Sequence, residues 1–251
     1  MSRDFSGKVA VVTGGASGIG AAVVRQFTLR GASVMIADVN HKGVEMVEEL
    51  RMAGGHVAFH HTDVTDASQV REMVEEADGQ FGGLDIVVNC AGIFPRGSLL
   101  DTTGDLWDRI MSVNLKGVFH VCQATVPKLM DRGGGSIINI GSLNAAGGAP
   151  NLLAYSASKG GVLTLTMNLA GALSTNHIRV NCVHPGWVLT EGEMEVQKAM
   201  GQSDDWIERA GSRLIRPEAV ASSVLFLASD AADQITGQAI TVDGGLSIWY
   251  P

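Results

Sequence analysis

What most limits the folds open to this chain is a repeated alternation of two patterns. A short β-branched run closes on glycine or a polar residue, and apolar residues at helical spacing follow. The first instance is the clearest. Lys8-Val9-Ala10-Val11-Val12-Thr13 reads as a strand and Gly14-Gly15-Ala16-Ser17-Gly18-Ile19-Gly20 as a turn. Ala21 to Arg30 then reads as a helix with Val23, Val24 and Phe27 on its apolar side, and Gly31 suits its stop. Strand patterns return at Ser33–Ala37, Val57–His60, Asp85–Val88, Ser136–Ile140, Ile178–Val183 and Gln238–Gly245. Helical spacing lies between them, including a long helix over Leu106–Pro127 and one from Pro217 through Leu227. This alternation predicts an α/β fold with a mostly parallel, doubly wound sheet. A chain of 251 residues suffices for one such domain and is short for two. No repeat or low-complexity block marks a boundary, so a single domain over residues 1–251 is expected.

Composition narrows the partners. A formal net charge of −8 without a basic stripe argues against a nucleic-acid or anionic-membrane surface. Cys90, Cys122 and Cys182 are scattered, odd in number and outside any CxxC pair, which fits a reducing compartment without disulfides or a zinc site. His60 and His61 have no third ligand at suitable spacing, so no metal is expected. The N-terminus has no apolar signal region and no apolar run is long enough to span a bilayer, which makes a cytoplasmic protein the expectation.

Strand, glycine turn and helix in that order form a phosphate cradle. Glycines let backbone approach a pyrophosphate, and a helix N-terminus offers free N–H groups and a positive dipole end. The GxxxGxG spacing alone is equally consistent with a structural turn. Asp38 follows the next strand, where a carboxylate accepts hydrogen bonds from ribose hydroxyls and repels a 2′-phosphate. Ala16, Ser17, Val39 and Asn40 supply no cation for such a phosphate. Asp63-Val64 ends the third strand, where the carboxylate could meet an adenine amino group or cap the helix starting near Ala67. Asn89-Cys90-Ala91-Gly92 ends the fourth; its small residues leave room for a ligand, and Asn89 could pin the neighbouring strand.

Tyr155 and Lys159 stand four residues apart, on one face of a helix. A tyrosine titrates near ~10 unperturbed, and a neighbouring ammonium group lowers that value. Such a pair exchanges a proton near neutral pH if another group exchanges a hydride. Ser142, after the strand Ser136–Ile140, could hold the same substrate oxygen. Asn114 is an amide inside a helix, unfavourable without partners. His184-Pro185-Gly186-Trp187-Val188-Leu189-Thr190 forms a loop past the sixth strand, and Glu191–Arg213 reads as a mobile segment covering a site (about 190–215).

Together these segments resemble the short-chain dehydrogenase/reductase family over essentially the whole chain. The likeness rests on Thr13 to Gly20, Asn89-Cys90-Ala91-Gly92, Asn114, Ser142, Tyr155-Ser156-Ala157-Ser158-Lys159 and Pro185-Gly186 with Thr190. Cys90 departs from it, since many members carry a second Asn there. The resemblance implies a single-domain Rossmann-type doubly wound parallel seven-stranded sheet with helices on both faces. It also implies a catalytic tetrad of Asn114, Ser142, Tyr155 and Lys159. Tyr155 would be the acid/base and Ser142 would hold the substrate oxygen. Lys159 would lower the tyrosine pKa and bind the nicotinamide ribose, and Asn114 would place a water linking Lys159 to solvent. NAD would lie along Gly14, Ser17, Gly18, Ile19, Gly20, Asp38, Val39, Asp63, Val64, Asn89, Ala91, Gly92, Tyr155, Lys159, Pro185, Gly186, Val188 and Thr190.

The expected activity is NAD-dependent oxidation of a secondary alcohol or reduction of a carbonyl. Ser142, Asn144, Asn151, Tyr155, Trp187 and Arg96 would meet the substrate, with His184, Glu191 and Glu193 near them. That polar set leans toward a sugar, polyol or other hydroxylated small molecule. An acyl-thioester reductase and a non-catalytic dinucleotide-binding scaffold are the alternatives. A homotetramer is expected, packed through the 106–127 and 155–173 helices.

Overall fold

The computed structural model describes residues 4–248 apart from Asp204; residues 1–3, 204 and 249–251 of the expected domain lie outside the described residues. Strand β1 (Val9–Thr13) is buried along its whole length, because it pairs in parallel on both edges, with β2 (Ser33–Asp38) and β4 (Ile86–Asn89). Outward from β2 lies β3 (His56–His61). Outward from β4 come β5 (Gly135–Ile140), β6 (Ile178–Pro185) and the last strand, Ala239–Val242. The order 3-2-1-4-5-6 and then the final strand gives a seven-stranded parallel sheet.

Period-two alternation along the strands builds a core on each face. Ala10 and Val12 pack with α1 (Gly18–Leu29), α2 (Lys42–Met52) and the helix Pro217–Ala228. Val9 and Val11 pack on the other face with α3 (Ala67–Phe81), the helix Gly117–Asp131 and the helix Leu153–Leu173. Successive strands are added in one direction from β1 to β3 and in the other from β4 onward, and the carboxyl ends of β1 and β4 open a cleft at that switch point.

Three local differences from the sequence reading have physical causes. The helix expected over Leu106–Pro127 is interrupted: α4 (Gly104–Met111) runs through a π-helical turn, Ser112–Lys116, into α5 (Gly117–Asp131). The wide turn holds Asn114 and aims it at the loop after β4. The cap of α3 is Asp66, whose side chain accepts from the N–H groups of Ser68 and Gln69; Asp63 instead folds a turn of its own, with Oδ1 accepting from Thr65 N–H and Oγ1. Past the short α6 (Asn144–Gly147) and the long α7 (Leu153–Leu173), β6 runs beyond Val183 to Pro185, because the last strand pairs with its end. The covering segment is helical, with α8 (Glu191–Ala199) and α9 (Trp206–Ala210). Its two ends are joined by a separate ladder between β7 (Trp187–Val188) and β8 (Leu214–Ile215). With α10 (Pro217–Ala228) and β9 (Ala239–Val242) the element order is complete. No described helix is long and apolar enough to cross a membrane.

Candidate active site

The glycine turn explains its own composition. Gly14 and Gly18 adopt φ of 64° and 51°, which side chains disfavour. A Cβ on Gly20 would collide with the Gly14 carbonyl, so the turn closes this tightly only without one. Gly20 is thus a packing residue and lies off the cavity wall. Ser17 precedes α1 without capping it, and no acidic residue sits in the first turn. The start of α1, where Gly18 and Ile19 line the cavity, therefore has no capping side chain, which suits a diphosphate. Asp38 clasps the turn: Oδ2 accepts from Ala16 N–H at 3.0 Å and Oδ1 from Asn40 N–H at 2.9 Å. Each oxygen keeps a lone pair for ribose hydroxyls.

One cavity of about 610 Å³ runs from this turn to Trp187. Its wall takes in Gly14, Ser17, Gly18, Ile19, Asp38, Val39, Asp63, Val64, Ala91, Gly92, Pro185, Gly186, Val188 and Thr190 from the expected dinucleotide set. Ser142, Tyr155, Lys159, Arg96, Asn144 and Trp187 line its far end. Strand parity corrects one assignment: Asn89 is 2% exposed and points into the sheet, where Nδ2 donates to Asn139 Oδ1 at 2.8 Å. It joins two strands, as its place also allowed, and does not reach the cleft.

Three expected pocket residues stand elsewhere. Asn151 is exposed and contributes only its carbonyl, which accepts from Gly97 N–H. Glu191 is paired with Lys42 on the outside, at 3.1 Å. His184 lies behind the wall, with Nδ1 accepting from Ser142 N–H at 3.0 Å. Burial and the Lys159 charge push the His184 pKa down, so the ring is neutral at pH 7 and carries its proton on Nε2. A Cβ on Gly141 would strike this ring, which accounts for glycine beside Ser142.

The expected reacting groups converge from separate elements. Ser142 comes from the end of β5 and accepts from Asn144 N–H at 3.2 Å, while Tyr155 and Lys159 stand on α7. Lys159 is 4% exposed; its Nζ donates to the Ile140 carbonyl at 2.8 Å and lies 5.8 Å from the centre of the Tyr155 ring. Burial lowers the pKa of this ammonium. For Tyr155 the expected direction is corrected. Burial pushes the hydroxyl up, opposed by the hydrogen bond with Ser142 and by the charge of Arg96. Asn114 is fully buried outside the cavity wall; Oδ1 accepts from Ile93 N–H at 2.8 Å, and Nδ2 donates to the Ile93 carbonyl at 2.8 Å and to Ser158 Oγ at 3.1 Å.

Beyond Tyr155 a polar group closes the pocket. Glu193, 7% exposed, accepts on Oε1 from Trp187 Nε1 at 2.8 Å and from Gln197 Nε2 at 2.6 Å. Trp187 stacks on Trp206 of α9, with centroids 5.6 Å apart. Gln197 and Phe94 also line the cavity and were not singled out in the sequence. Gln197 was discoverable, being one helical turn from Glu193; Phe94, edge-on to Tyr155 at 6.5 Å, sits in an irregular loop without a pattern.

A family model described as Enoyl-(Acyl carrier protein) reductase matches residues 14–247. The chain is 39% identical to a 3-oxoacyl-[acyl-carrier-protein] reductase, FabG, of Thermotoga maritima, over 97% of this chain and 99% of the relative. It is 36% identical to a D-threitol dehydrogenase of Mycolicibacterium smegmatis, over 99% and 97%. The crystal structure of gox2181 superposes with a TM-score of 0.91 at 36% identity, covering 98% of each chain.

Proposed function

Since the chain belongs to the short-chain dehydrogenase/reductase family of oxidoreductases, we propose that it is an NAD-dependent dehydrogenase of a small, hydroxylated secondary alcohol. The observation that carries this reading is the single cavity joining Asp38 and the glycine turn to Ser142, Tyr155 and Lys159. The donor set fits a dinucleotide: an uncapped helix N-terminus for the diphosphate, Asp38 for one ribose, and Lys159 for the other. The bound nicotinamide supplies the hydride chemistry.

The chain's own residues manage the proton. Ser142 Oγ and the Tyr155 hydroxyl hold the substrate oxygen, and Tyr155 takes its proton in oxidation or returns it in reduction. His184 fixes the backbone under Ser142. Asn114 ties down the loop after Gly92 that forms the opposite wall.

Preference for NAD follows from the Asp38 carboxylate at the ribose end. The nearby cations are engaged: Lys42 pairs with Glu191, and Arg25 with Glu49 at 2.5 Å. Similarity to FabG favours a second reading, reduction of an acyl thioester. Against it stands the pocket end, which Trp187, Glu193 and Gln197 close with hydrogen bonds. We further propose a homotetramer packed through the outer faces of α5 and α7, where Phe119 and Met167 are exposed. A panel of sugars, polyols, secondary alcohols and oxoacyl thioesters with NAD(H) and NADP(H), followed at the nicotinamide absorbance, tests the activity. Turnover confined to thioesters with NADPH would overturn it.

A further inference from the structure

We propose that Arg96 is a specificity-determining residue that binds a carboxylate carried by the substrate, so that the preferred substrates are small hydroxy acids and the matching oxo acids. The inference rests on the dehydrogenase reading above and names its substrate class.

Arg96 lines the cavity in the loop after β4, with its side chain 29% exposed. Its Nε is buried and has no hydrogen-bond partner. Nη2 meets Glu193 Oε1 at 3.5 Å, and that oxygen already accepts from Trp187 and Gln197 at shorter range. Glu193 is therefore committed to holding the covering helix, and it leaves the guanidinium's donors largely free. A buried, unpaired guanidinium N–H is unfavourable until it finds an acceptor. A planar fork of this kind matches a carboxylate through two parallel hydrogen bonds, whereas a single hydroxyl answers one donor and no charge. Lys159, the other cation on the cavity wall among the described residues, is bound to the Ile140 carbonyl.

The backbone beside Arg96 is also anchored to the start of the helix that carries Tyr155. Its neighbour Gly97 donates its N–H to the Asn151 carbonyl at 2.8 Å and accepts from Leu153 N–H at 3.2 Å, forming a bridge with Leu152. Leu153 opens the helix that carries Tyr155, and Phe94 packs edge-on against the tyrosine ring. An anchored carboxylate and a fixed hydroxyl site define one separation between acid group and reacting carbon, so one alcohol in a polyhydroxylated acid is oxidised.

The test uses the full-length protein with NAD and three hydroxy acids, 3-hydroxybutyrate, 4-hydroxyvalerate and gluconate, each beside its neutral carboxamide. At least one acid is expected to exceed its carboxamide roughly 10- to 100-fold in kcat/KM, carried by KM. Arg96→Gln should erase that preference by raising KM for the acid, with the Kd for NAD, read from tryptophan fluorescence, unchanged. Arg96→Lys should retain part of it, and the melting temperatures of both variants confirm folding. Acid preference that survives Arg96→Gln, or wild-type turnover of carboxamides or neutral polyols equal to the acids, would overturn the assignment of Arg96 and leave the dehydrogenase reading intact. Absence of nicotinamide turnover on any secondary alcohol, with NAD bound, would overturn both.

Discussion

Replacing Asn114 by alanine separates a tether from a relay. The amide spends both its polar atoms on Ile93, accepting from its N–H and donating to its carbonyl, each at 2.8 Å, in a site with no solvent exposure of Asn114. Asn114→Ala leaves two backbone groups of Ile93 without their partners, and each unsatisfied buried group costs about 1–3 kcal/mol. Ile93 itself is partly exposed, so water compensates in part and the lower half of the range applies, about 2–4 kcal/mol for the pair. A domain of this length loses about 2–4 °C in Tm per kcal/mol, so the variant should melt about 4–16 °C lower. Calorimetry without cofactor gives the shift, and steady-state kinetics on the same preparation gives turnover. Because the freed loop carries Phe94 and Arg96, KM for the substrate should rise as kcat falls. A variant that melts within 1 °C of wild type yet loses turnover a hundredfold would refute the tether and return Asn114 to the relay alone.

Asp38→Ala should narrow the preference for NAD over NADP by roughly 10- to 1,000-fold, since a carboxylate within about 4 Å of a 2′-phosphate is worth about 1–4 kcal/mol of repulsion per charge pair; equal wild-type activity on both cofactors would contradict it. The chain has two tyrosines, so the phenolate absorbance of wild type minus Tyr155→Phe isolates Tyr155. That ionisation should lie above the ordinary value in the free enzyme, because burial disfavours the phenolate. Oxidation should accelerate as pH rises toward it, and Tyr155→Phe should bind NAD yet retain less than a tenth of wild-type turnover. Burial pushes the Cys122 thiol up to about 12. The folded chain thus keeps a proton that the unfolded chain releases above ~9, and stability from this group is full below that pH and falls by up to about 1.4 kcal/mol per pH unit above it. Melting curves from pH 8 to 11 should therefore decline less steeply for Cys122→Ala than for wild type.

The frame was legible because strands buried on both faces have no polar alternation to obscure them, and the seven expected strands match those found to within a few residues. Tyr155, Lys159 and Ser142 were legible because helix spacing and strand ends fix their directions. Side chains just past a strand end were less so. Asn89 is still inside the β4 ladder and obeys its parity, and Asp63 and Asp66 compete for one cap that only backbone geometry decides. His184 sits on the extended end of β6, so the loop expected there is still strand and the ring lies under Ser142. Asn151 contributes only a backbone carbonyl, which accepts from Gly97 N–H, and no residue type reveals that. The π-turn at Ser112–Lys116 changes the helical period for one turn, and an apolar pattern read at a single period passes over it.

The ladder between β7 and β8 gives the stretch between its two strands a fixed root. Leu189 N–H donates to the Ile215 carbonyl at 2.9 Å, so the chain leaves and re-enters the frame at adjacent points. Such a detour can be lengthened, shortened or exchanged between related chains at little cost in closure entropy, because the seven-stranded sheet never senses its length. Glu193, in the detour, accepts from Gln197 in the same stretch and from Trp187 at its root, and all three line the cavity. Grafting the stretch between the two ladder strands would carry much of a pocket to another scaffold while leaving that scaffold's proton-transfer groups untouched. Arg96, the proposed anchor for a substrate carboxylate, is joined through Gly97 to the start of the helix that carries Tyr155 and would stay behind.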